Sequence, residues 1–426
     1  MNRPRSRRST ARAIPRPRRD ATPWLILAAA LAFWLIETGG VLWHTSNWCH
    51  HLYLADAFNH GQLHLYRHPH DAGDMAIVDG RAYIVFGPLP ALPLMPLVAW
   101  LGPDTPDVLV LVITALFAIF AFHRMLVSVH ASAHEAPAAS RWVLACTTLS
   151  LALGSPLHYG APMGNVWLHT QISALALQCW GLWMAATGRR HWSGVAFGLS
   201  VLTRPTLVLA APLAVWLLAR EPDAAADEGV APASRLAAWA RRALGPAVAV
   251  GVPIVIAAGI HAVYNWARFG HPGDAGYRYI LMGDEFKALV ERYGRFNVHF
   301  LANNLYGWLL RPPLLKGGGL IPDPHGMSLL LSVPFLWLAF VPRRVSALEA
   351  VAIASIVVIA LPALLYYNDG WVQFGQRFAL DWIAPAMLVC SFGAARAPRW
   401  LVFALTAAGI AINAWGMLWF QANYLH

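Results

Sequence analysis

The segment Tyr83-Ile-Val-Phe-Gly-Pro-Leu-Pro-Ala-Leu-Pro-Leu-Met-Pro-Leu, residues 83–97, decides the fold, because it is apolar enough to enter a membrane yet rich in proline. Pro88, Pro90, Pro93 and Pro96 each remove a helix hydrogen bond that hydrocarbon cannot replace. We therefore predict that residues 83–102 lie at the interface or re-enter the membrane rather than cross it.

The composition around this segment is that of a membrane protein. The chain has 426 residues, of which 58% are hydrophobic and 12% are charged, and its mean hydropathy is +0.49. Soluble domains carry about 25% charged residues, and apolar segments of about 20 residues, enough to span a bilayer, recur along the chain. We predict an all-α polytopic membrane helix bundle forming a single membrane domain over residues 23–426.

The net charge of +10 lies mostly at the N-terminus, where eight arginines occur in the first nineteen residues among Pro and Ser. Such a segment cannot bury a core, so we predict a disordered cytoplasmic tail over residues 1–22 that orients the chain or contacts anionic lipid headgroups. Nucleic acid is not an expected partner. The four cysteines are too scattered to predict a disulfide or a cysteine-based metal site.

Arginine positions set the predicted topology. If 83–102 does not cross, every short basic connection falls on one side, as the positive-inside rule requires. This gives eleven spans, with the N-terminus cytoplasmic and the C-terminus outside. The predicted spans are 24–43, 107–128, 142–161, 165–186, 192–204, 205–219, 243–264, 327–342, 346–366, 378–395 and 399–419. The larger outer connections are the first outer loop (44–106) and the second outer loop (265–326).

The first outer loop contains most of the candidate catalytic groups. Residues 43–102 hold seven histidines and several aspartates, which could provide a general base or metal ligands. Asp56 lies in a predicted short interfacial helix over 52–58, and the candidate bases are Asp56, Asp71, Asp74 and the histidines, among them His51. The histidine pairs, including His50-His51 and His68-Pro-His70, lack the spacing of a helical zinc site, so no metal ligands are assigned and a divalent metal ion stays open.

Candidate anion ligands lie in later outer segments. Arg204 precedes Pro205 between two apolar runs, where it could bind phosphate or extend to the interface. In the second outer loop, arginines interleaved with aromatic residues suit a phosphorylated sugar. Arg377 and Asp381 are four residues apart and could pair on one helix face, with Arg377 gripping an anion. The predicted substrate- or phosphate-binding residues are Arg204, Asn265, Arg268, Arg278, Arg377 and Asp381.

Five motifs, in this order, resemble the GT-C-type membrane glycosyltransferases, which include protein O-mannosyltransferases and lipid A aminoarabinose transferases. The motifs are Tyr53-Leu54-Ala55…Gly61, Phe86-Gly87-Pro88-Leu89-Pro90, Gly194-Val-Ala-Phe-Gly-Leu-Ser-Val-Leu-Thr-Arg-Pro205, Asn265…Arg268-Phe269-Gly270 and Gly375-Gln376-Arg377-Phe378…Asp381.

The resemblance implies a catalytic acid in a large first outer loop and a polyprenyl-phosphate-linked sugar as donor. Family members often carry an acidic residue or pair just after the first span, whereas this chain has no carboxylate there before Asp56. Asp56, the preferred base, or Asp74 would take the role, or a histidine such as His51 would substitute.

We expect a hexosyl or pentosyl transferase in a bacterial inner membrane, acting on an envelope lipid, glycan or protein. Two other readings stay open at this point. A transporter or flippase for a lipid-linked saccharide would show repeated halves with polar residues on both faces, and no such repeat is visible in the sequence. A catalytically silent membrane scaffold would explain the missing acidic pair.

Overall fold

Apolar helices dominate the computed structural model, which describes residues 20–67, 73–132, 139–220 and 232–424. Four helices in these ranges are long and apolar enough to cross a membrane, and shorter apolar helices accompany them. The four are Asp107–Ala131, Leu236–Phe269, Ala347–Leu364 and Arg399–Asn423. The predicted polytopic membrane helix bundle is confirmed, and the count of eleven spans stays a prediction.

The described helices in chain order are α1 (Thr22–Glu37), α2 (His50–Asn59), α3 (Met95–Leu101), α4 (Asp107–Ala131), α5 (Arg141–Ala152), α6 (Leu157–Met163), α7 (Val166–Ala186), α8 (Arg190–Val201), α9 (Ala211–Ala219), α10 (Pro232–Phe269), α11 (Asp284–Tyr293), α12 (Leu301–Leu309), α13 (Leu329–Ser332), α14 (Ala347–Leu364), α15 (Ile383–Ala394) and α16 (Arg399–Tyr424). Short 3₁₀ helices cover Leu89–Leu94, Gly102–Asp104, Pro205–Ala210, Tyr277–Tyr279, Val298–Phe300, Pro334–Phe340 and Arg377–Asp381.

The proline-rich segment is broken into short pieces. The 3₁₀ helix Leu89–Leu94 runs into α3, and together they cover 13 residues, Leu89–Leu101. At about 2.0 Å and about 1.5 Å per residue, this length is roughly 23 Å, which is shorter than a hydrocarbon core of roughly 30 Å. The geometry therefore agrees with the prediction that residues 83–102 do not form an ordinary spanning helix.

Several predicted spans are interrupted where the sequence carries glycine or proline. The segment predicted as 142–161 divides into α5 and α6, with Gly154 and Pro156 between them. The first span was predicted to reach residue 43, but α1 ends at Glu37. Gly39 and Gly40 follow it with φ of 61° and 84°, a left-handed conformation that ends a helix.

Close packing of α8 on α10 depends on two glycines. A Cβ atom at Gly194 would lie 2.2 Å from the carbonyl oxygen of Ala249, and one at Gly198 would lie 2.8 Å from that of Pro253. Small residues four apart let two backbones approach, the usual device of helix packing in lipid. This packing sets the position of the turn that follows α8.

The outer loops contain strands that the all-α prediction did not foresee. Antiparallel pairs form between β1 (Met75–Val78) and β2 (Arg81–Ile84), and between β3 (Leu314–Lys316) and β4 (Gly319–Ile321). Ala76 pairs with Ile280 in an isolated bridge, and the backbone N–H of Leu281 donates to the carbonyl of Met75 at 3.2 Å. The first and second outer loops therefore contact each other through the β1–β2 hairpin.

Candidate active site

Asp74 enters the site at the start of the β1–β2 hairpin. Its φ is 59°, a left-handed conformation that Asp adopts more readily than most residues. The indole Nε1–H of Trp167, in the first turn of α7, donates to Asp74 Oδ2 at 2.8 Å. This bond ties the first outer loop to the end of a core helix and orients the carboxylate.

Arg377 lies on the same indole. Its guanidinium carbon is 5.4 Å from the centroid of the Trp167 ring and 5.0 Å from that of Phe378, within cation–π range. Arg377 Nε donates to the carbonyl of Gly370 at 3.1 Å, which fixes the plane of the guanidinium. Trp167 thus brings together a carboxylate and a cation that are far apart in sequence.

Arg204 forms an ion pair with Asp381. Its Nη2 donates to Asp381 Oδ2 at 2.6 Å, and the Asp381 side chain is almost fully buried. Arg204 is held by the turn after α8, which packs on Gly87 so tightly that a Cβ there would lie 2.3 Å from the carbonyl oxygen of Leu202. Two of the sequence motifs, residues 86–90 and 194–205, therefore meet at this point.

The predicted pairing of Arg377 with Asp381 is wrong in detail. The prediction assumed an α-helix, in which residues four apart share a face, but Arg377–Asp381 is a 3₁₀ helix. With three residues per turn, positions four apart point about 120° from each other. Asp381 therefore takes its cation from Arg204, although Arg377 remains close enough to interact electrostatically.

Tyr277 completes the group from the second outer loop. Burial raises the pKa of its phenol, the Asp74 carboxylate raises it further, and the guanidinium of Arg204 acts in the opposite direction. The phenol is therefore neutral at pH 7 and close to both charges. We call the set Asp74, Trp167, Arg204, Tyr277, Arg377 and Asp381 the charge cluster.

Three predicted anion ligands of the second outer loop, Asn265, Arg268 and Arg278, are not part of the charge cluster. Arg268 is buried, and its Nη1 and Nη2 donate to the carbonyl of Ile84 at 2.5 Å and to Asn265 Oδ1 at 2.9 Å. The Arg278 side chain is 62% exposed and pairs with Asp274 at 2.7 Å. Arg268 and Asn265 thus join α10 to β2, and their assignment as phosphate ligands stays a prediction.

Asp56 and His51, two of the predicted catalytic residues, also contact other groups. Asp56 lies on α2, as predicted, beside His60 and Arg67. His51 is buried, and its Nε2 lies 3.1 Å from Thr170 Oγ1. Burial lowers the pKa of His51 well below its ordinary value, and the neighbouring His169 and His50 lower it further. His51 is therefore neutral at pH 7.

Sequence reasoning missed two buried carboxylate–histidine pairs. Asp107, the first residue of α4, accepts from the backbone N–H and hydroxyl of Ser46 at 2.7 and 2.6 Å, and it lies 3.4 Å from His169 Nε2. Glu37 lies 3.0 Å from His158 Nε2. A carboxylate at the end of an apolar segment was the available signal, because a charge in that position needs a partner.

Metal ligation has no candidate in the ranges that the structure covers. Among those residues, no three or more His, Cys, Asp or Glu side chains are grouped closely enough to hold an ion. His68, His70 and Asp71 lie outside the described residues, as does the predicted tail up to residue 19. The four cysteines are free and buried.

Taken together, the fold and the charge cluster define a polytopic membrane helix bundle with a polar site between its outer loops. No protein-family model and no curated protein matches the chain. Its structure is similar to solved structures of the oligosaccharyltransferase AglB of Archaeoglobus fulgidus.

The apo form of AglB gives a TM-score of 0.43 at 13% identity, covering 95% of this chain and 56% of AglB. The form tethered to an acceptor peptide gives 0.45 at 13% identity. The complex with an inhibitory peptide and a dolichol-phosphate gives 0.42 at 12% identity. This chain spans about half the length of AglB, and a likeness at this level assigns neither activity nor substrate to it.

Proposed function

We propose that this protein is a GT-C-type membrane glycosyltransferase. It moves a sugar from a polyprenyl-phosphate-linked donor to an envelope lipid, glycan or protein at the outer face of a bacterial inner membrane. The observation that carries the proposal is the pairing of Asp74 and Arg377 through Trp167, which puts a candidate base and a candidate anion ligand in one polar site.

The arginines suit a departing phosphate. When the bond between the anomeric carbon and the donor's phosphate breaks, negative charge grows on the phosphate oxygens and requires preorganised cations. Within the described residues, the hydrogen bonds of the Arg377 guanidinium use Nε alone, so its two terminal nitrogens can grip an anion. Arg204 adds a second positive charge, held in place by Asp381.

Asp74 is the preferred base among the carboxylates of the first outer loop. It would take the proton of the acceptor hydroxyl as the acceptor oxygen bonds to the anomeric carbon. The proton moves to the carboxylate while the bonding pair of the broken C–O bond leaves with the phosphate. Trp167 keeps the carboxylate oriented, and Asp56 is not needed because its contacts lie with His60 and Arg67.

The envelope location follows from charge and composition. The basic turns lie on the side opposite the charge cluster in the predicted topology, which favours a site outside the cell. The chain has only Lys287 and Lys316 as lysines beside many arginines and alanines, a composition typical of a high-GC bacterium. The donor's tail would stay in lipid, so the site needs no nucleotide pocket.

Complementation of a deletion strain tests the proposal. Envelope lipids, glycans and proteins are compared by mass spectrometry with and without the gene, and variants are then reintroduced at matched membrane levels. We expect the deletion to remove a defined sugar, and Asp74→Asn and Arg377→Ala to fail to restore it. Asp79→Asn, on the exposed turn of the same hairpin, and Arg292→Ala, an exposed arginine of the second outer loop that is not among the predicted ligands, are the matched controls and should restore it.

An unchanged set of glycans in the deletion strain, or full restoration by both Asp74→Asn and Arg377→Ala, would contradict the proposal. A flippase would give a different result. Purified protein in liposomes would then move the lipid-linked sugar between leaflets without releasing polyprenyl phosphate from it.

A further inference from the structure

A small hollow with one carboxylate lies away from the charge cluster, on the side of α2 that packs against α3. It encloses only about 10 Å³, room for one group of about the size of a water molecule, it is open on one side, and it is lined by Leu52, Tyr53, Asp56, Arg67 and Val98. The hollow therefore admits a single small polar group such as an ammonium, and the rest of a ligand would lie outside it at the surface. Buried Leu52 and Val98 give it an apolar floor.

Arg67 and His60 lie beside the Asp56 carboxylate in this hollow without forming a hydrogen bond to it. Arg67 Nε is 3.7 Å from Oδ2 and His60 Nδ1 is 3.5 Å from Oδ1, and His60 Nδ1 is 2.8 Å from the backbone carbonyl of Asp56. In the part of the chain that the structure describes, no donor bonds to either carboxylate oxygen. Asp56 is 18% exposed and Arg67 55% exposed, so a ligand can reach an acceptor and a cation side by side.

The hollow lies at the level where a spanning helix ends. Phe58, at the end of α2, packs edge-on against Tyr264 with ring centroids 6.3 Å apart, and Tyr264 is in the last turns of the candidate span Leu236–Phe269. Asn59 Nδ2 donates to the carbonyl of Met95 at 2.9 Å, joining α2 to α3. On α3, Trp100 is 81% exposed, as expected of an indole at the headgroup level.

We propose that this hollow binds the headgroup of a bilayer lipid that carries a primary ammonium next to a phosphate diester, the chemistry of phosphatidylethanolamine. The ammonium enters the hollow and donates to Asp56, while the phosphate stays at the rim and accepts from the exposed Arg67. A quaternary choline cannot donate to Asp56. An anionic lipid without an amine would meet Arg67 but be repelled by the carboxylate. The inference is independent of the proposed transferase activity.

Lipid retention measures this selectivity directly. The full-length protein is reconstituted in nanodiscs of equal phosphatidylethanolamine, phosphatidylcholine and phosphatidylglycerol, and the lipids retained after detergent extraction are counted by native mass spectrometry. A hydrogen bond to a charged group corresponds to about tenfold or more in affinity. We expect phosphatidylethanolamine to be enriched about tenfold, and Asp56→Asn to lose most of that enrichment.

Asp79→Asn is the matched control, since it removes an exposed carboxylate from the same loop and should leave retention unchanged. Arg67→Gln, at an exposed position that folding tolerates, gives a second test if Asp56→Asn lowers the yield of folded protein, and it should also reduce the enrichment. Equal retention of the three lipids by the wild type, or preference for phosphatidylglycerol, would overturn the inference. Undiminished enrichment in Asp56→Asn would overturn it as well.

Discussion

At the scale of single residues, the charge cluster depends on partners that lie far apart in sequence. Arg204 and Asp381 are separated by 177 positions and form an ion pair at 2.6 Å, with the carboxylate almost fully buried. Removing one member of a buried pair leaves the other charge uncompensated in a medium of low dielectric constant. The two residues are therefore coupled, and the loss of either should affect folding as well as any ligand.

Arg204→Ala should lower the stability of the protein by about 3 to 5 kcal/mol, because the buried Asp381 then loses its ion-pair partner. Thermal unfolding in detergent measures the change. Arg278→Ala is the control, since that arginine is mostly exposed and its pair should contribute about 1 kcal/mol or less. The double variant Arg204→Met/Asp381→Leu should regain most of the lost stability. Equal unfolding temperatures for Arg204→Ala and Arg278→Ala would contradict the prediction.

His51 should make stability depend on pH. Its pKa in the folded state is held well below the ordinary value by burial, so the unfolded chain binds the proton more readily. Stability is then fully present above about pH 6.5 and falls as the pH drops below it, by up to about 1.4 kcal/mol per unit. Unfolding temperatures between pH 7.5 and 5 should fall less steeply for His51→Gln; identical slopes would show that His51 contributes nothing.

The sequence could identify chemically relevant residue types but could not assign their partners. A lone arginine before Pro205 and an arginine at the start of an apolar segment were visible, because charge in an apolar run needs an explanation. Their partners were not, since Trp167 and Asp74 meet only when α7 and the β1–β2 hairpin pack together. Asp56 was preferred over Asp74 because it is the first carboxylate after the first predicted span, and that position in the sequence says nothing about proximity to Arg377.

At the scale of elements, the contact between α8 and α10 depends on small side chains. Gly194→Ala should destabilise the protein by about 1 to 3 kcal/mol, because its Cβ would lie 2.2 Å from the carbonyl oxygen of Ala249 and the helices must separate. Gly251→Ala on α10 is the control, because nothing lies within 4 Å of the added Cβ. It should be neutral or stabilising by up to about 1 kcal/mol, since alanine favours a helix.

The same pair of variants carries a functional readout. Separation of α8 from α10 would move the turn that holds Arg204, so Gly194→Ala should also reduce restoration of the envelope sugar in the complementation assay. If Gly194→Ala unfolds at the same temperature as Gly251→Ala, the close packing does not contribute to stability.

The apolar patterns predicted the positions of the helical segments well. They predicted less well where each segment is interrupted and which type of helix it forms. The segments 142–161 and 205–219 read as continuous spans, but the first is divided near Pro156 and the second begins as the 3₁₀ helix Pro205–Ala210. A proline marks the position at which a helix is disturbed. Whether the helix kinks there, continues as a 3₁₀ helix or ends depends on which neighbouring groups hydrogen-bond to the freed carbonyls. That information is in the tertiary contacts.

At the scale of the whole molecule, the proposals require the charge cluster and both outer loops to lie on one side of the membrane. The β1–β2 hairpin bridges to Ile280, so residues near 79 and 273 must share a side. Basic turns such as that at Gly188 to Arg190 should lie opposite them. The predicted topology of eleven spans places residues 79 and 273 on one side and the turn at residues 188–190 on the other. Labelling of single cysteines can test both placements.

Single cysteines should report this sidedness cleanly, because the four native cysteines are buried and should react slowly. In intact spheroplasts, a membrane-impermeant maleimide should label Asp79→Cys and Gly273→Cys, which are exposed in the first and second outer loops. Gly188→Cys, in the turn between α7 and α8, should react only after the membrane is opened. If residues 79 and 188 are labelled from the same side, the chain crosses the membrane an even number of times between them, whereas the predicted topology requires an odd number. The charge cluster would then face a compartment where the proposed lipid-linked donor and envelope acceptor do not meet.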